Sequence, residues 1–168
     1  ALQRRLRERA ATDPGEWIVG RGWIESKWSP PAFPSRTDLD AAVAGRPVML
    51  ERADGHAVVV NSLALTIAGI NRDTPNPPGG EILRDPATGL PTGMLIDNAV
   101  DLVQRHVPPL TNEDLARALA AGAERSARLG WTQLQIPGTN WNEIEQICRL
   151  YAAGRIKIEI NQKYRLED

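Results

Sequence analysis

Trp131-Thr132-Gln133-Leu134-Gln135-Ile136 reads as a strand with apolar alternation, and its neighbours decide the fold. Behind it, Asn140 to Ala153 carries Ile144, Ile147, Cys148 and Tyr151 at helical spacing, which predicts a helix with those four residues inward. Ile156-Lys157-Ile158-Glu159-Ile160 then alternates strictly, as a strand does. Ahead of it, Thr111-Asn112-Glu113-Asp114 opens a helix, with Asp114 where a capping box places its acid. Leu115, Ala118, Leu119, Gly122 and Ala123 form one face of that helix, and Gly130 stops it. Helix, strand, helix, strand with short connections makes a βαβ unit, so the pairing is expected to be parallel and the class α/β.

Toward the N-terminus the pattern loosens. Leu2 and Leu6 lie four apart among basic residues, as on an amphipathic helix, and Thr12-Asp13-Pro14-Gly15 breaks it. Trp17-Ile18-Val19-Gly20 predicts a buried strand, with Gly20-Arg21-Gly22-Trp23 leaving it as a loop. Ser29 to Pro34 is a proline-stiffened connector. Thr37-Asp38-Leu39-Asp40 starts a helix that runs to Gly45. Three successive apolar residues in Pro47-Val48-Met49-Leu50 suggest a strand buried on both faces, as in a parallel sheet. Val58-Val59-Val60 is a strand or a tight packing segment, and Asn61-Ser62 opens a short helix closed by Gly69. Residues 71–95 are rich in Pro and Gly, and two short runs around Asp85–Pro91 predict an inserted β-hairpin. Apolar residues at 96, 99, 100 and 103 suggest a following helix.

Composition sets outer bounds. The 168 residues are 42% hydrophobic and 24% charged, which suits a soluble globular domain with a core. A net charge of −1 argues against non-specific nucleic-acid binding. No apolar run has the length of a membrane span or a signal peptide. The lone Cys148 fits a reducing, cytoplasmic compartment and reads as a buried thiol on its helix. With only His56 and His106, the chain cannot build a histidine-rich metal site, and no metal ligand or catalytic residue is assigned.

The loop Arg52-Ala53-Asp54-Gly55-His56 follows a buried strand, where α/β folds place their ligands. His56 suits a general base, a ligand donor or a substrate hydrogen-bonder. It equally suits a structural histidine holding the loop to Asn61 or to a carbonyl. Asp54 fits a turn better than a catalyst. Among five tryptophans, Trp17 and Trp131 are expected in the core, whereas Trp23 and Trp28 lie in a loop able to line a pocket or interface.

Taken together, Trp17-Ile18-Val19-Gly20-Arg21-Gly22-Trp23, Arg36-Thr37-Asp38-Leu39-Asp40 and Asp54-Gly55-His56 with Val60-Asn61-Ser62-Leu63-Ala64-Leu65 resemble one family. So do Pro77-Pro78-Gly79-Gly80-Glu81-Ile82, Arg84-Asp85 with Pro91-Thr92-Gly93, and Gly130-Trp131-Thr132. The resemblance, over about residues 15 to 160, is to the metal-dependent amidohydrolases, in the branch of N-substituted formamide deformylase. It implies a partial (β/α)8 barrel segment, residues 1–168 as one partial domain, with the hairpin of residues 71–95 inserted. It also implies a parent enzyme that hydrolyses amide-type C–N bonds of small molecules with a zinc-like divalent metal. The family's His-x-His pair is absent from this sequence, so no cofactor site is expected in the chain itself, which reads as an inactive internal fragment cut at both ends. What carries over is a substrate-side or structural role for Arg52, Asp54, His56 and Asn61, and Trp23, from its place in a loop able to line a pocket, joins them as a substrate-binding candidate. The open strand edges near Trp17–Gly20 and Ile156–Ile160 suggest a homodimer or strand-swapped assembly. The competing expectation is a stand-alone, non-catalytic module that binds a small molecule or a protein.

Overall fold

The computed structural model describes residues 2–164. Ala1 and the C-terminal Arg165–Asp168, the two ends read above as cut, lie outside the described residues. The fold is mixed α/β, and the chain divides into two compact units, Ala1–Pro108 and Pro109–Asp168.

In the first unit, helix α1 (Leu2–Thr12) precedes strand β1 (Ile18–Trp23), and the short helix α2 (Arg36–Asp40) precedes β2 (Val48–Arg52). Strand β3 (Ala57–Val60), helix α3 (Ser62–Ile67), β4 (Gly80–Arg84), β5 (Pro91–Asp97) and, after a 3₁₀ turn, α4 (Asp101–Gln104) complete it. The strands form one sheet in the order β1-β2-β3-β5-β4. Only β1 and β2 run parallel; β2–β3, β3–β5 and β4–β5 are antiparallel. The expectation that three apolar residues in β2 signal a parallel sheet therefore holds on one side only. The two-sided burial has another cause. Val48, Leu50, Val59 and Met94 pack with Leu6 of α1 and Leu39 of α2 on one face. Met49, Val58, Val60 and Leu95 pack with Leu65 of α3 and Val103 of α4 on the other. Helices cover both faces, so successive residues are apolar whatever the strand direction.

Strands β4 and β5 pair around Asp85–Leu90, within the stretch read as a hairpin, with β5 between β3 and β4 in the sheet. The helix expected from Ile96 starts later, because Ile96 and Asp97 belong to β5. Gly93 explains one close approach in this sheet. Its φ is +99°, and a Cβ there would lie 2.5 Å from the Val60 carbonyl oxygen. Strand β1 is a sheet edge, and its Val19 is 51% exposed rather than buried.

In the second unit, α5 (Asn112–Arg128), β6 (Gln133–Thr139), α6 (Trp141–Ala152) and β7 (Glu159–Tyr164) follow the expected order, and β6 and β7 pair in parallel. Thr111 caps α5 by accepting from the Asp114 N–H, while Asn140 and Glu143 form a full capping box on α6. The core holds Ala123, Ile147, Leu150, Ile156 and Ile158. The inner face of α6 is thus Gln146, Ile147 and Leu150, and Cys148 is exposed, contrary to its reading as a buried thiol. Trp131, expected in the core, is 61% exposed, because it stands in the turn before β6 begins.

Candidate functional site

Parallel β1 and β2 end at the same rim of the first unit's sheet, and this brings the loop after each together. Arg52, the last residue of β2, forks onto Glu25 in the 3₁₀ turn after β1, with Nε to Oε2 at 2.9 Å and Nη2 to Oε1 at 2.6 Å. Its Nη1 donates to Asp54. The guanidinium holds the Glu25 carboxyl below its ordinary range, and Glu25 in turn raises Arg52. Two carboxylates consume this cation, so Arg52 clamps the two loops and retains little attraction for an anionic substrate.

The turn from β2 to β3 closes through Gly55 at φ +81°, and the Asp54 carboxylate accepts from the His56 N–H at 3.2 Å. Antiparallel pairing of Ala57 with Ile96 then sets His56 beside Asp97 at the end of β5. The contact has two points. His56 Nδ1 lies 2.9 Å from Asp97 Oδ1, and the Asp97 N–H donates to the His56 carbonyl at 2.9 Å. Asp97 has φ 47° and ψ −125°, a conformation that costs a non-glycine residue about 1–3 kcal/mol. The pair is open to solvent, with side-chain exposures of 76% and 49%, which leaves the His56 Nε2 side free to meet a ligand. A histidine fixed by a carboxylate at Nδ1 can offer Nε2 as a hydrogen-bond acceptor or proton acceptor.

The other two residues singled out in the sequence sit in the interior. Trp23 ends β1 and does not lie in a loop: it is buried, with its indole N–H on the Leu50 carbonyl at 2.8 Å. Phe33 meets it edge-on at 6.5 Å and Trp28 lies 6.1 Å away. Asn61 is fully buried. Its Oδ1 accepts from Val48 N–H and Ala64 N–H, both at 3.0 Å. Its amide NH₂ donates to the Val43 and Arg46 carbonyls at 3.1 and 2.8 Å. His56 pairs with Asp97 and has no bond to Asn61. The rim thus joins Arg52, Asp54 and His56 and adds Glu25 and Asp97, which sequence reasoning missed. Glu25 was visible as the acid directly after the Gly20–Ile24 stretch. Asp97 carried no signal, because only strand pairing places it.

Among the described residues no group of three or more His, Cys, Asp or Glu side chains is arranged to hold a metal ion. The described donors do not fit a divalent metal centre.

A model of the amidohydrolase family matches residues 1–167. This chain belongs to that family. It is 45% identical over 106 residues to a Bacillus subtilis protein named amidohydrolase YtcJ, covering 63% of this chain and 20% of that protein. It is 36% identical to LONG AFTER FAR-RED 3 of Arabidopsis thaliana, over 87% of this chain and 26% of that protein. To N-substituted formamide deformylase of Arthrobacter pascens the identity is 40%, over 54% of this chain and 16% of that protein. Among solved structures, an uncharacterized metal-dependent hydrolase from Pyrococcus horikoshii superposes with a TM-score of 0.61 at 21% identity, covering 96% of this chain and 31% of that one. The amidohydrolase relatives are thus several times longer than the segment they share with this chain.

Proposed function

We propose that this amidohydrolase-family chain is an internal segment of a metal-dependent hydrolase that cleaves amide-type C–N bonds of small molecules. In this reading the chain supplies part of a (β/α)8 barrel as a single partial domain, with residues 71–95 inserted. The divalent metal and its ligands come from polypeptide outside residues 1–168, in a cytoplasmic protein. The observation that carries the reading is the His56–Asp97 pair, open to solvent at the C-terminal end of parallel β1 and β2, where barrel enzymes of this kind place their chemistry. His56 is the substrate-side group: Nε2 hydrogen-bonds the amide or its leaving nitrogen. Glu25, Arg52 and Asp54 hold its loop, Asp97 sets its ring, and Trp23 and Asn61 support the rim from below. The edges of the second unit's two-stranded sheet are covered by a second copy or by strand exchange.

The test has two arms. The isolated chain is dialysed against zinc, assayed for bound metal and tested on an N-substituted formamide; the expected result is no stoichiometric metal and no turnover. The chain joined to the polypeptide that flanks it in its natural coding sequence is then assayed with and without His56→Ala. Activity that falls at least about tenfold in kcat/KM supports the substrate-side role, the loss of one good transition-state hydrogen bond being worth that much. Zinc-dependent turnover by the isolated chain, or an unaffected His56→Ala enzyme, overturns the reading.

A further inference from the structure

We propose that the groove between α1 and the sheet beside β1 binds a small carboxylate with an apolar body, of the alkanoate or arylalkanoate class. The concavity measures about 420 Å³, within the range of roughly 300–1,000 Å³ that small-molecule sites occupy. Its floor is Leu6 of α1 with Ile18, Trp23 and Leu50, and Trp28 forms a side wall. Gly20 keeps that floor open. A Cβ there would stand 3.0 Å from Leu50 Cδ2, so a side chain at this position would crowd the floor.

The rim has one sign of charge. Arg5, Arg9, Arg21 and Lys27 line it, and no acidic side chain does. Arg9 is paired with Asp13 at 2.8 Å, and Arg21 stands 3.8 Å from Glu51. Arg5 and Lys27 have no ion-pair or hydrogen-bond partner among the described residues. Two unpaired cations above an aliphatic and indole floor select one ligand chemistry. A neutral apolar molecule would gain the floor but draw water from the cations. An ammonium amphiphile would meet four like charges. A carboxylate with an alkyl or aryl tail satisfies both parts, the tail on the floor and the head at Arg5 and Lys27. None of this uses the His56 rim, so the proposal stands apart from the hydrolase reading.

Octanoate is the probe, with 1-octanol and octylammonium as its uncharged and cationic counterparts. Binding is followed on the 168-residue chain by tryptophan fluorescence, since Trp23 and Trp28 border the groove, and by titration calorimetry. The expected result is saturable, one-to-one octanoate binding, with octanol and octylammonium each weaker by about fivefold or more, the loss of one exposed ion pair. Arg5→Glu and Lys27→Glu each weaken octanoate by about the same factor. Both side chains are exposed, so the variants keep the wild-type circular dichroism and urea midpoint. Equal binding of octanoate and octanol, or charge reversals without effect, overturns the proposal. So does a sedimentation-detected dimer that octanoate fails to dissociate, which would give the groove to a second copy pairing on β1.

Discussion

Replacing Asn61 by Ala tests whether this residue is scaffold or ligand contact, and the cost can be worked from its four hydrogen bonds. The side chain is fully buried and caps α3. Loss of such a cap costs about 1 kcal/mol. The Val48 N–H loses its side-chain acceptor in a region without solvent, and stranding a buried donor adds about 1–3 kcal/mol. The Val43 and Arg46 carbonyls lose the donor that ties the strand entry to the preceding turn. Asn61→Ala is therefore expected to destabilise the chain by about 3 kcal/mol, a large part of the roughly 5–15 kcal/mol that holds a domain folded.

In urea, with a slope of about 2 kcal/mol per molar, that is a midpoint shift of about 1.5 M at unchanged slope. Asn61→Asp sharpens the test. It keeps Oδ1 but sets a second oxygen against two carbonyls, so burial and carbonyl repulsion favour the neutral acid. Its folded-state pKa lies above the ordinary Asp value of about 3.9, so its stability deficit relative to the wild type grows as pH rises through that value. Circular dichroism and tryptophan fluorescence at pH 4 and pH 7 read both effects. An Asn61→Ala protein that loses less than about 1 kcal/mol would falsify the argument, because the bonds would then carry no net stability.

Two further outcomes follow from the same geometry. Gly93→Ala is expected to cost more than about 2 kcal/mol, because the residue sits at φ +99° and a new Cβ would also stand 2.9 Å from the Arg36 backbone nitrogen; a urea midpoint within 0.3 M of the wild type, about what ordinary surface substitutions produce, would refute it. Glu25, held below its ordinary value of 4.5 by Arg52, contributes stability above that pH and loses it as pH falls through its lowered folded-state value. The thermal-midpoint gap between wild type and Arg52→Ala is therefore expected at pH 7 and to close under acid, and a gap that persists unchanged at pH 3 counts against the Glu25 clamp.

Strand direction marks where the sequence was legible and where it was not. In the second unit, two alternating strands joined by one helix left a single topology, and β6 and β7 pair in parallel as that requires. In the first unit, runs such as Val48-Met49-Leu50 and Val58-Val59-Val60 record two-sided burial, which helices on both faces produce for either direction. The deciding signal was the connection. Ala53–His56 offers four residues between β2 and β3, enough for a hairpin and too few for a parallel crossover.

The same logic governs the rim. Arg52, Asp54 and His56 are neighbours in sequence, so their shared turn was readable. Glu25 and Asp97 reach them only through the parallel register of β1 and the antiparallel register of β5. A local motif can announce a histidine, but its charge partner depends on which strands lie alongside. Here the strained backbone at Asp97 is the physical sign that the second partner was placed by the sheet and not by its own local preference.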